Sequence, residues 1–233
     1  MPRTAIIAAL EREVAGLIRH CRPVEREHQG RKFAFFEQDE MVIVCGGIGL
    51  EAARRAAEAV IALYHPALVQ SVGFAGALNM TLHVGDIFSP ALVIDARDGS
   101  RTSVEHGDGV LITFMTVANP TQKQSLAQAY GAQAVDMEAA AVAAAARAHG
   151  IRFTATKVIS DGLDFEMPEI ARFIDAQGRF RTTAFALFVA LRPWLWRRVA
   201  ILARNSNHAS RVLSGHLLVL RQHPGDVIQA RTT

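Results

Sequence analysis

Cysteine is scarce in this 233-residue chain, with only Cys21 and Cys45. Two such residues make no disulfide framework. No second Cys or His stands at metal-ligand spacing from either one, so no structural metal is implied. Long apolar runs are also missing. Ala5–Leu10 is quickly met by Glu11-Arg12-Glu13, and Ala184–Leu191 runs into Arg192-Pro193, both far short of the about 20 apolar residues of a membrane span. The first run has no cleavage site behind it and is read as a core strand, not a leader, which makes a reducing cytoplasm the expected compartment. Phosphate-binding fingerprints are lacking as well: Gly46-x-x-Gly49 has no Lys-Ser/Thr after it, and no GxGxxG follows a strand. Lysine is absent after Leu191, where seven arginines face one acid, Asp226. That tail carries +6 of a net +3, so the body is at −3 and is no uniformly basic nucleic-acid binder.

What is present is a hydrophobic half of the composition, enough for a sizeable core. Short Val/Ile runs alternate with alanine-rich stretches, the pattern of βα units around a buried sheet, so the class is α/β. Strands are expected at Ile6–Leu10, Met41–Cys45, Leu68–Val72, from Val84 onward, and at Thr154–Ile159. Helices are expected at Val14–His20, at Leu50–Tyr64 before Pro66, and at Asp136–His149 closed by Gly150. In open α/β sheets, ligands sit beyond the carboxyl ends of the strands. The loops expected there carry Glu11 and Glu13, Gly46–Gly49, Gly73–Gly76 and Ser160–Asp164, with Asp136-Met137-Glu138 as a further acidic segment.

Carboxylates are therefore the distinctive resource. Asp136 and Glu138 in a first helical turn could simply oppose the helix dipole. Beside Glu13 and Asp161 at strand ends, they also fit glycosidic cleavage, where one acid serves the leaving group, another orients water and a third holds sugar hydroxyls. Glycine turns would let a ligand approach the main chain.

These residues resemble the nucleoside phosphorylase and nucleosidase superfamily, and within it the methylthioadenosine/S-adenosylhomocysteine nucleosidases, over roughly Ala5 to Asp164. Ile6–Val14 is similar to the N-terminal strand and acidic loop whose last Glu positions water, a role that falls on Glu13, with Glu11 as the competing acid. Gly47-Ile48-Gly49 resembles the family's Gly-Ile-Gly turn. Gly73-Phe74-Ala75-Gly76 resembles its glycine loop, with Leu82–Ile87 the strand that follows. Val135-Asp136-Met137-Glu138 is similar to the ribose-binding motif, in which Met137 packs on the sugar and Glu138 takes its hydroxyls. Ile159-Ser160-Asp161 resembles the segment whose Asp serves purine N7. The resemblance implies a single-domain three-layer sandwich with a central mixed sheet, a purine nucleoside substrate of the adenine type, no cofactor and a homo-oligomer, with a dimer the first expectation. Ser71 stands where phosphorolytic relatives carry Arg, so hydrolysis is preferred and phosphate is the alternative nucleophile.

Phe74 replaces the family's small Ser or Thr, and no base-stacking aromatic can be placed in Val117–Thr121. Residues 1–191 are read as the nucleosidase-like domain and 192–233 as a basic extension bearing Trp194 and Trp196. Ala209, Val212, Leu213, Leu217 and Leu220 fall at helical spacing, as for a helix covering the sheet. The Trp/Arg pairing also suits a lipid headgroup boundary, which would make the protein membrane-associated. This tail and the short middle segment resemble a divergent branch, the hopanoid-associated phosphorylase-like proteins, which implies removal of adenine from an adenosylated lipid. A third reading is a relative that binds nucleoside or lipid without turnover.

Overall fold

The computed structural model describes residues 4–166 and 169–222. The last part of the basic tail, with Asp226 and Arg231, lies outside the described residues. The chain begins with β1 (Thr4–Ala8), a short α1 (Ala15–Ile18), and the meander β2 (Pro23–His28), β3 (Arg31–Gln38) and β4 (Met41–Cys45). Next come α2 (Leu50–Tyr64), β5 (Leu68–Ala77), β6 (Ile87–Phe88), β7 (Leu92–Asp95), β8 (Arg101–Ser103) and β9 (Val110–Thr113). The remainder is α3 (Pro120–Tyr130), β10 (Ala134–Asp136), α4 (Ala139–Ala148), β11 (Arg152–Asp161), α5 (Thr182–Ala190) and α6 (Pro193–Gln222).

One mixed sheet runs in the order β2-β3-β4-β1-β5-β10-β9-β7-β8. It forks at β5, whose length lets it pair in parallel with β1 and β11 while Gly76 and Ala77 meet β10 antiparallel. Alternation along β1 splits the core between two faces. Ala5 and Ile7 join Val42, Val44 and Val69 beneath α2 and α4, where alanines such as Ala56, Ala57 and Ala146 let helix and sheet approach closely. Ile6 and Ala8 join Ile43, Val72 and Val158 beneath α1 and α6. The result is the expected three-layer sandwich around a mixed sheet. α6 is part of that core: Ala209, Leu213 and Leu217 are buried in it, and each buried leucine contributes roughly 1.5–3 kcal/mol.

Four expectations are corrected. β5 continues through Gly73–Gly76, so the presumed glycine loop is strand, held in register by β11 from Lys157 to Asp161. Asp136 ends a strand and α4 starts only at Ala139, because Asp136 is drawn into the sheet by pairing with Thr113 of β9. Val14–His20 shortens to α1, preceded by a single 3-10 turn at Glu11–Glu13. The segment from Val84 becomes strand only at Ile87–Phe88, where it pairs with β11.

Candidate active site

Glu13 is placed by the turn that leaves β1. The carboxylate folds back so that Oε2 accepts the N–H groups of Ala9 and Leu10, each at 2.9 Å, and Oε1 accepts that of Phe74 at 3.3 Å. A side chain at Gly73 would sit 3.1 Å from Oε1, so glycine is what lets the carboxylate reach across β5. Burial pushes the Glu13 carboxyl above its ordinary range, against the opposing pull of the Leu10 N–H, Lys157 and the Phe74 N–H. Glu11 lies exposed at the rim of the same cleft.

The second group sits between β10 and α4. Asp136 is buried with both oxygens engaged: Oδ1 accepts Thr113 Oγ1 at 2.6 Å, while Oδ2 accepts the Ala139 N–H at 2.9 Å and pairs with Lys157 Nζ at 2.8 Å. Lys157 also donates to Ser71 Oγ at 3.1 Å. Desolvation works against the Lys157 charge, yet Asp136, Glu138 and Glu13 together hold it above its ordinary value. Glu138 has no lysine hydrogen-bonded to it. Its Oε1 accepts the Gly49 N–H at 2.8 Å and its Oε2 that of Met137 at 3.2 Å. Its enclosed position, with Asp136 nearby, pushes the carboxyl up to about 8.

At the third strand end, β11 carries a bulge between Ile159 and Asp161 that sets Asp161 opposite Gly76. Asp161 Oδ1 accepts Ser160 Oγ at 2.8 Å, and Oδ2 is bonded to Lys123 Nζ. Neither Lys123 nor Lys157 stands out in the sequence: Lys157 reads as an ordinary residue of the strand expected at Thr154–Ile159, and Lys123 lies where no helix was expected. Both prove to be among the largest fully buried side chains.

Glu13, Phe74, Ala75, Gly76, Gly47, Asp136, Met137, Glu138, Ser160 and Asp161 all line one cleft of about 960 Å³. Gly49 contributes through its N–H to Glu138. The Phe74 ring carries the Arg12 guanidinium 5.3 Å from its centroid. Beyond the acids, the wall is built from Ile170, Ile174, Phe180, Phe185, Val199 and Leu202. This wall is tied down by Arg31, which donates to Gly46 O at 2.9 Å and Gln177 O at 3.2 Å, and by the Ile48 N–H on Gly178 O at 2.8 Å. Among the described residues, no group of three or more His, Cys, Asp or Glu is disposed to hold a metal ion.

The sequence pattern of the phosphorylase superfamily matches residues 3–122 and, overlapping them, 88–192. No curated protein matches the chain. Among solved structures, a methylthioadenosine/S-adenosylhomocysteine nucleosidase from Colwellia psychrerythraea in complex with adenine is 25% identical. It has a TM-score of 0.62 and covers 69% of this chain and 84% of its own. Futalosine hydrolase of Helicobacter pylori is 16% identical with a TM-score of 0.67, covering 94% and 98%. The corresponding nucleosidase from Neisseria meningitidis is 18% identical with a TM-score of 0.63, covering 92% and 100%. The chain belongs to the phosphorylase superfamily, the group of nucleoside phosphorylases and nucleosidases, and is an enzyme of that kind.

Proposed function

We propose that the protein cleaves the N-ribosidic bond of a 5′-substituted adenosine and releases adenine. The observation that carries this reading is the convergence of Glu13, Glu138 and Asp161 on one cleft from three separate chain crossings. Glu13 orients the attacking water. Glu138 receives the ribose hydroxyls and Met137 packs on the sugar, while Asp136 fixes the turn that presents both. Asp161 serves the departing purine, and a neighbouring 6-amino group can donate to it, which favours adenine. Ser160, Ala75 and Gly76 shape the base end, and Gly47 and Gly49 the ribose end.

Water is the favoured nucleophile. Ser71, where phosphorolytic relatives place Arg, is buried under Lys157, and Arg31 is committed to two carbonyl groups. Incubation with methylthioadenosine, S-adenosylhomocysteine and adenosine, with and without phosphate, is the test. Phosphate-independent adenine release with free ribose product is expected, and sugar 1-phosphate formation would reassign the nucleophile. No adenine from any of these, nor from an adenosylated lipid, would sink the reading.

The apolar wall favours a second form of the same activity. At about 960 Å³ the cleft lies at the upper end of the roughly 300–1,000 Å³ of small-molecule sites. Ile170, Ile174, Phe180 and Phe185 suit an adenosine whose 5′ substituent is a lipid chain. Trp194 and Trp196 are 71% and 55% exposed beside Leu187, Leu191 and Arg197, a corner suited to a lipid headgroup boundary. Among the described residues, no helix is long and apolar enough to cross a membrane, so such contact would be peripheral. A preference of at least tenfold in kcat/KM for a long-chain 5′-alkyl adenosine over methylthioadenosine is the expected result.

A further inference from the structure

Lys123 has no role in the scheme above, yet it lines the cleft as a buried cation. Its ammonium is bonded to Asp161 Oδ2 and donates to Gly162 O at 2.7 Å. Asp161 Oδ1 is meanwhile occupied by the Ser160 hydroxyl. A carboxylate accepting at both oxygens, one of them from an ammonium, is an anion with no proton of its own to give. A purine that leaves as a neutral base needs one at N7. A mobile proton lies a single hydrogen bond behind Asp161, on Nζ.

Several local features build this contact. Asn119 caps α3 by accepting the Gln122 N–H at 2.9 Å, and Pro120 opens the helix, which fixes Lys123 in its first turn. A side chain at Gly76 would fall 2.8 Å from Asp161 Oδ2 and 3.3 Å from Nζ, so β5 leaves room for the pair. The bulge in β11 aims Asp161 at that gap. As a stabiliser such a buried pair is weak, because desolvation offsets much of the attraction. Its distinguishing asset is the proton.

We propose that Lys123 is the positioning residue and proton store for Asp161 at the base-leaving end of the cleft. The proposal rests on the nucleosidase reading. As the bond from C1′ to N9 breaks, its electron pair passes to the purine. A proton passes from Nζ to the Asp161 carboxylate and from there to N7, leaving Lys123 a neutral amine and Asp161 again without a proton. Water adds its oxygen to C1′ and one proton to ionised Glu13, keeping the other on the new hydroxyl. The proton on Glu13 returns through solvent to Nζ, and charge and atoms balance over the cycle.

The test compares the full-length protein with Lys123→Met and Lys123→Arg on methylthioadenosine and on p-nitrophenyl β-D-riboside, whose leaving group departs without protonation. Thermal melts establish that each variant is folded. Lys123→Met is expected to lose about 100-fold in kcat on the nucleoside, the usual size of a general-acid contribution, with KM within about twofold. Lys123→Arg, which keeps the charge but does not give up a proton, should recover little of the loss, and nitrophenol release should fall by no more than about threefold in either variant. An unchanged kcat on the nucleoside overturns the proposal. So do equal losses on both substrates, which would mark Lys123 as merely structural. If the unsubstituted protein releases neither product, this proposal and the nucleosidase reading fall together. Normal nucleoside cleavage that is indifferent to Lys123→Met removes the proton store alone.

Discussion

The two ends of the cleft hold their carboxylates by different means. At the end proposed for the nucleophile and ribose, Glu13 and Glu138 accept backbone N–H groups. At the sheet floor and the end proposed for the base, Asp136 and Asp161 are each paired with a buried lysine. Backbone donors orient a carboxylate without neutralising it, so burial still lifts Glu13 and Glu138 above the ordinary range and leaves them able to exchange a proton or take a hydroxyl. A lysine fixes position and supplies a counter-charge. The longer acids are thus held by groups that leave them open to a ligand, whereas the shorter ones are each tied to a lysine, one supporting a turn and the other lining the end of the cleft proposed for the base.

The sharpest way to break this contrast is to remove an anchored acid. Asp136→Ala would leave Lys157 buried without its closest counter-charge and deprive the Thr113 hydroxyl and the Ala139 N–H of their acceptor. A loss of about 3–5 kcal/mol in urea unfolding is expected. Adding Lys157→Met should recover much of it, since the stranded charge disappears with the lysine. Glu138→Gln retains an amide oxygen for the Gly49 N–H, and should cost less than about 1.5 kcal/mol. Equal losses for Asp136→Ala and Glu138→Gln would erase the distinction between the two ways of holding an acid.

Activity should rank the acids in the other order for Glu13. Glu13→Gln keeps one oxygen for the backbone donors but can neither take a proton from water nor carry charge. A drop of about 100- to 1,000-fold in kcat for adenine release is expected, with a melting temperature close to that of the parent. A fall below about threefold would move the water-orienting role to Glu11 at the rim.

Much of this architecture was legible in the residues. Leu50–Tyr64 declared itself by composition and by the stop before Pro66, and Met41–Cys45 by a pure apolar run; both have the expected bounds. The hairpin β2–β3 was not read, because Pro23–His28 is an almost wholly exposed edge with no apolar face. In the structure Gln29 and Gly30 both adopt positive φ, the geometry of a two-residue hairpin turn. The acids of the cleft were readable because carboxylates stood at the ends of apolar strands. Their lysines were not. Lys123 is 38 residues from Asp161 and Lys157 is 21 from Asp136, and each pairing exists only once the sheet has forked at β5. No helical or strand periodicity marks a lysine that points inward. The helix α3 was itself not expected, and its Asn119-Pro120 start is what fixes where Lys123 falls.

The freely held acids also give the two ends different responses to pH. Glu138 titrates at about 8 when folded against an ordinary 4.5. Between those values the folded protein keeps a proton that the unfolded chain has released, so this carboxyl's contribution to stability is full below the unfolded value and is lost as pH rises toward 8. Glu13, shifted in the same direction, adds to the slope. Denaturant midpoints of the ligand-free protein should therefore decline from about pH 5 to about pH 8, and Glu138→Gln should flatten part of the decline. In the proposed scheme substrate reverses the preference, because only ionised Glu138 would be a full acceptor for both ribose hydroxyls. KM should fall over the same range in the parent and stay level in Glu138→Gln.

The smallest effect on stability is expected far from the acids, at the exposed corner between α5 and α6. Trp194→Ala with Trp196→Ala removes two largely solvent-exposed rings, and the double variant should unfold within about 0.5 kcal/mol of the parent. The Trp196 indole donates to Val189 O at 3.0 Å, but that exposed carbonyl can turn to water when the ring is gone. Adenine release from methylthioadenosine should likewise be unchanged, since neither ring lines the cleft. Co-sedimentation with anionic vesicles is the measurement these residues should move, by about tenfold in partitioning if the rings enter the headgroup region beside Arg197. Equal sedimentation of parent and variant would leave α6 as a core helix alone, held by Ala209, Leu213 and Leu217, and would confine any lipid recognition to the apolar wall inside the cleft.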